Sequence, residues 1–185
     1  APQPFRYPFK RHKRQYAFPA RKTYRTFKPH LRDEFARQCV YCRLPDTVKG
    51  ADSFGVDHYR PETLFPALVG VYTNLFYSCP ACNSRKSYFW PSDRDRARGV
   101  FIPNPCEHTM AEHLRYNGAQ VHPRSVAGLI ADDVLMLNDE ESTKYREFLL
   151  RSIEYARKIV SGLQAELYGI SQDLRRATAA RRALL

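Results

Sequence analysis

No part of this 185-residue sequence approaches the roughly 18 consecutive apolar residues of a membrane-spanning helix, and its beginning has no apolar segment of the secretory kind. The expectation is a soluble, cytoplasmic protein with no membrane partner. Acidic residues are scarce: 19 Asp and Glu stand against 30 Lys and Arg, for a formal net charge of +11. Residues 1–32 contain no acidic side chain and ten basic ones. Such a surface attracts polyanions, inside a cell chiefly nucleic acid. With 43% hydrophobic and 26% charged residues the chain is not of disordered composition, and its length suits one functional unit rather than two ordinary domains.

Three segments follow from composition. Residues 1–30 form a basic arm in which Phe, Tyr and Pro alternate with Lys and Arg, including Lys10, Arg11, Lys13 and Arg14. In such an arm the cations suit phosphates, and the aromatics either pack on the body or stack on bases. Left alone, it reads equally as a solvated extension. Residues 31–104 hold the chemistry-bearing motifs, and 105–185 are mainly helical. The patterns predict a short helix over 31–38, strands over 53–59 and 74–79 joined by an elaborated loop, and a helix from Pro80 to Trp90, where Pro91 stops it. Residues 91–100 read as a charged loop, 101–108 as extended chain, about 109–116 as a short helix and Asn117-Gly118 as a turn. A long amphipathic helix follows, with Asn138 and Glu141 spaced as a capping box and Gly169 at its end. A second helix begins near Ser171 and carries Arg175, Arg176, Arg181 and Arg182.

Four of the five cysteines form two C-x2-C pairs, Cys39 with Cys42 and Cys79 with Cys82. In a reducing compartment this spacing points to metal rather than disulfides. Four thiolates suit one tetrahedral Zn²⁺, and a closed set of four is structural, since no coordination position remains for a substrate. Cys106, with His108, His113 and His122, fits no compact zinc spacing and is read as packing.

Between the pairs lie Asp57 and His58, adjacent on a strand, and Asn74 at the start of the next strand. Asn83 follows the second knuckle directly, and Lys86 sits one helical turn further on the same face. The combined text "CVYC", "VDHYRP" and "TNLFYSCPACNSRK" resembles the HNH endonucleases, whose ββα-metal core is a two-stranded hairpin on a helix, often stapled by two zinc knuckles. The later "GVFIPNPCEHTMAEHLRYNGAQVHP" and "LMLND" look like a bacterial subgroup, some of whose members act in antiphage defence beside an ATPase partner.

The resemblance implies an α+β fold and hydrolysis of phosphodiester bonds in DNA, with one structural Zn²⁺ and one catalytic Mg²⁺ or Mn²⁺. It makes His58 the general base, Asp57 and Asn83 the ligands of the catalytic ion, and Asn74 the residue that pins the loop and orients His58. Lys86, Arg60 and Arg85, with the arm's cations, would meet phosphate. Many family members have His where this chain has Asn83, and an amide oxygen there favours a hard cation. The same residues also admit RNA as substrate, or a zinc-stapled binding or adaptor module that does no catalysis.

Overall fold

The computed structural model describes residues 5–20 and 23–183. Its architecture is mixed α+β, with two separate two-stranded antiparallel sheets among six α-helices in the described residues. Helix α1 (Lys28–Glu34) begins at a proline in its first turn and buries Leu31, in line with Phe27 and Phe35 one turn to either side. It ends earlier than the sequence pattern suggests because Ala36 (φ 53°) and Arg37 (φ 57°) take left-handed conformations that turn the chain into the first knuckle.

Strands β1 (Gly55–His58) and β2 (Leu75–Ser78) pair with Asp57 opposite Phe76 and His58 opposite Leu75. All of β2 is buried, so its residues need both faces covered, and α1 and α2 (Pro80–Lys86) pack around the hairpin. Helix α2 starts at Cys79, whose sulfur accepts from the Cys82 N–H, and stops at Ser87 (φ 43°). Tyr88 to Trp90 therefore lie beyond the helix expected to include them; Phe89 and Trp90 pack on the core while Tyr88 is exposed. The segment read as a charged loop contains α3 (Asp93–Ala97), because the Ser92 hydroxyl accepts from the Asp95 N–H and Asp93 lies in the first turn.

In the C-terminal third the short helix expected to reach about 116 is α4 (Met110–His113), which stops at His113 because the chain continues as a strand, and two further elements have no counterpart in the sequence pattern. Strands β3 (Leu114–Asn117) and β4 (Gln120–Pro123) form a hairpin through the Asn117-Gly118 turn, with Leu114, Tyr116 and Val121 on its buried face. Helix α5 (Val126–Leu135) is capped by Ser125 and approaches the hairpin closely at Gly128. A Cβ on Gly128 would lie 2.0 Å from the His113 carbonyl oxygen, so only glycine fits there.

Helix α6 (Glu140–Ala183) is one helix of 44 residues and runs through Gly169, where an end was expected. A glycine in a helix costs about 1 kcal/mol, too little to break one this long. Its cap is Asp139, which accepts from the Ser142 N–H and hydroxyl; Asn138 instead bonds the backbone of Val121 on β4 in both directions. Buried residues from all three segments share one core: Tyr7 of the arm stacks on Tyr116 with ring centroids 5.1 Å apart, and the Tyr116 hydroxyl donates to the Cys42 carbonyl at 2.7 Å.

Candidate active site

The first knuckle lies in the turn after α1 and the second at the β2–α2 junction, and the hairpin brings them together. The four sulfurs of Cys39, Cys42, Cys79 and Cys82 are buried and lie within 4.8 Å of one another. Tetrahedral Zn²⁺ with bonds of about 2.3 Å separates its sulfurs by roughly 3.8 Å, and Cys42 and Cys79 are 3.7 Å apart. Burial pushes the Cys39 thiol up, but hydrogen bonds from the other three cysteines outweigh it and hold Cys39 well below the usual thiol range. Donor type, burial and spacing all fit one Zn²⁺. Among the described residues no other cluster of His, Cys, Asp and Glu is arranged for an ion, and Cys106 stands half-buried apart from this one.

Beside the second knuckle, whose Pro80 also lines it, Asp57, His58 and Asn83 face a cavity of about 400 Å³ together with Tyr24, Glu62 and Ser84. The His58 ring is held on three sides. Its Nε2 lies 3.0 Å from the Val69 carbonyl oxygen, an atom that can only accept, so Nε2 carries the proton. In the neutral ring Nδ1 then keeps its lone pair, 4.0 Å from a Glu62 carboxylate oxygen. The Tyr24 ring meets the imidazole edge to face at 4.5 Å.

Asn74 does not face the cavity. Its side chain accepts from the Arg60 N–H at 2.9 Å and donates to the Arg60 and Leu68 carbonyls, so it ties the strand to both ends of the loop that carries Val69. The Asn83 amide lies over β1, where a Cβ on Gly55 would be 3.3 Å from its nitrogen. No hydrogen bond to that amide is made among the described residues, which leaves its oxygen open.

The cations depart from the expected roles. Lys86 is buried, donating to an Asp57 oxygen at 3.1 Å and to the His58 carbonyl at 2.6 Å, so it cannot meet an incoming phosphate. The other Asp57 oxygen accepts from the Tyr41 hydroxyl at 2.5 Å. Burial and the Asp57 charge push the Tyr41 phenol well above its ordinary range, so it remains a donor. Arg85 turns away from the cavity to the Leu135 and Met136 carbonyls and to Asp139, because α5 ends beside it. Arg60 lies over the Phe65 and Trp90 rings. In the arm, Arg14 is committed to the body: it pairs with Glu34, bonds the Thr73 and Leu75 carbonyls and covers the Phe76 ring at 4.5 Å. Lys10, Arg11 and Lys13 are exposed and free to meet a polyanion.

Three contributors escaped the sequence reading. Tyr41 sits inside the first C-x2-C pair, Tyr24 belongs to the arm, and Glu62 follows His58 by four residues across an irregular turn. Only the last carried a signal, as an acid near the histidine.

One curated relative shares 29% identity over 127 aligned residues. It is Septu protein PtuB of Bacillus thuringiensis. The match covers 66% of this chain but 46% of PtuB, so the chain spans about half the length of that relative. No family model matches the chain and no solved structure matches it. None of the helices among the described residues is long and apolar enough to cross a membrane.

Proposed function

We propose that this chain is an endonuclease of the HNH type, built on a ββα-metal core, that hydrolyses phosphodiester bonds of DNA in defence against phage together with a protein partner such as an ATPase. The observation that carries the reading is the tautomer of His58. With Nε2 donating to Val69, Nδ1 presents a lone pair at the wall of a polar cavity, which is what a general base toward water requires. Glu62 lies on the side of the ring that Nδ1 faces. The ring is positioned rather than loose, because Asn74 ties down the loop that supplies Val69.

Of the two donors that this reading implies for a catalytic ion, the Asn83 amide is open, whereas both Asp57 oxygens are engaged by Tyr41 and Lys86, one of which would have to give way. Asp57 and Asn83 would supply two oxygens, and Mg²⁺ or Mn²⁺ commonly keeps water and substrate phosphate in its other positions. Such an ion, when bound, polarises the phosphate and stabilises the leaving oxygen. Lys86 already neutralises Asp57, so the site carries little excess negative charge before phosphate arrives. That pair also favours the second reading, a zinc-stapled nucleic-acid or adaptor module with a silent site. The likeness to PtuB and the resemblance to antiphage HNH proteins support the role in defence, and the exposed arm cations support contact with nucleic acid.

The deciding experiment incubates the purified protein with supercoiled plasmid and with RNA under Mg²⁺, Mn²⁺ or chelator. We expect divalent-dependent nicking of DNA that His58→Ala abolishes while zinc content and DNA binding are retained. Binding without cleavage under every ion would establish the adaptor reading, and cleavage confined to RNA would reassign the substrate.

A further inference from the structure

The base of α6 is anchored in the body by Arg146, whose guanidinium donates to the Ala119 and Leu137 carbonyls and is 1% exposed as a residue. Tyr145, Leu149 and Leu150 also pack against the core. From Arg151 onward the described side chains are exposed, apart from the half-buried Ile153, Ser171 and Gln172. Large apolar residues stand in water there: Leu163 is 59% exposed, Leu167 67% and Leu174 64%.

Their order is not that of a stripe meant for a neighbouring helix of the same body. From Leu149 to Ala177 apolar residues recur in alternating steps of four and three with no interruption. A straight helix repeats every 3.6 residues, so a strict 3.5 repeat over this distance, about 42 Å of helix, marks the seam of a supercoiled pair. We propose that this part of α6 pairs with the same helix of a second copy of the chain, as an antiparallel two-stranded coiled coil.

The orientation follows from volume and charge. A two-fold axis between Val160 and Leu163 sets Ile153 opposite Ile170 and Ala156 opposite Leu167, beyond the core-packed Leu149. Every layer then holds at least one large side chain, and the small Ala156 is matched by a leucine. A parallel pair would instead place Ala156 against Ala156 and leave that layer underfilled. It would also bring the two copies of Arg181, the next seam position after Ala177, face to face. The antiparallel pair separates those arginines and sets the two helix dipoles opposed, which is the favourable arrangement. The surface is self-complementary, as a two-fold contact must be.

Sedimentation equilibrium of the full chain tests this. The wild type should show a concentration-dependent mass rising to twice that of one chain. Leu163→Glu with Leu167→Glu, both at exposed positions, should raise the dimer dissociation constant at least a hundredfold while zinc content and the near-ultraviolet spectrum of the body stay unchanged. Tyr155→Glu with Tyr168→Glu adds the same charge outside the seam and should leave the dimer intact. A wild-type monomer at all concentrations, or equal effects of the two double variants, would overturn the proposal. Mixing an Ala156→Cys chain with a Leu167→Cys chain under oxidation should give the mixed disulfide; self-disulfides alone would overturn the antiparallel arrangement.

Discussion

Lys86 shows how a residue type alone misleads about role. A lysine one turn after Asn83 reads as a phosphate contact, yet its ammonium is buried against Asp57 and the His58 carbonyl. Removing one partner of a buried ion pair leaves the other charged and unpaired, at a cost of about 3–5 kcal/mol. Lys86→Ala should therefore lower the unfolding free energy by that order in urea titration, whereas an exposed lysine would change it by less than about 0.5 kcal/mol. At Asn83 the expectation reverses, because its amide is open to the cavity and holds nothing else together. Asn83→Ala should keep zinc content, stability and DNA binding while plasmid nicking falls by orders of magnitude, since the ion loses one of two protein ligands. Asn83→His should retain part of the activity and shift its preference toward ions that accept nitrogen. Normal cutting by Asn83→Ala would show that Asn83 is no ligand.

Among the elements, α6 depends on its first turn. Burial raises the Asp139 carboxyl, but hydrogen bonds from Ser142 and the Arg85 charge outweigh it and hold the group at about 2. An unfolded aspartate titrates near 3.9, so the folded state binds this proton less readily than the unfolded one. The stabilisation is fully present above about pH 4 and is lost as pH falls through the folded value. The urea midpoint of the wild type should fall between about pH 4 and pH 2 more steeply than that of Asp139→Asn, which keeps the cap without the titration. Equal slopes would show that the cap does not depend on charge. The same carboxylate receives Arg85 of α2, so the start of α6 is joined to the helix that carries Asn83.

At the scale of the whole molecule, stability is concentrated at the four cysteines, because both knuckles and the β3–β4 hairpin converge there. A strong chelator, or Cys39→Ser, should convert the purified protein from one that holds about one Zn²⁺ per chain into one that unfolds at lower temperature, as followed by circular dichroism and metal analysis. A zinc-free protein of unchanged stability would refute the structural role. The exposed arm cations act differently, through the phosphate backbone. Replacing Lys10, Arg11 and Lys13 by alanine should weaken DNA binding uniformly across sequences and reduce the salt slope by roughly 2 to 3, near the 0.9 expected per phosphate contact.

The sequence by itself determined the features that rest on short spacings: the two C-x2-C pairs, the strand pair between them and the helix opening at Pro80. Each is local, since a two-residue gap or an alternating run constrains its own backbone whatever surrounds it. A role for Asn74 in the loop came from the family resemblance and not from any spacing; in the structure its side chain bonds Arg60 and Leu68. Only the tertiary structure decided which charges remain free. Lys86, Arg85 and Arg14 are spent on Asp57, on Asp139 and on Glu34, partners 29, 54 and 20 residues away in the chain. No spacing rule encodes such distances, because burial chooses the nearest opposite charge after the elements have packed. The β3–β4 hairpin, α5 and the true cap of α6 were hidden for the same reason: the short strands of that hairpin owe their pairing to the core beneath them.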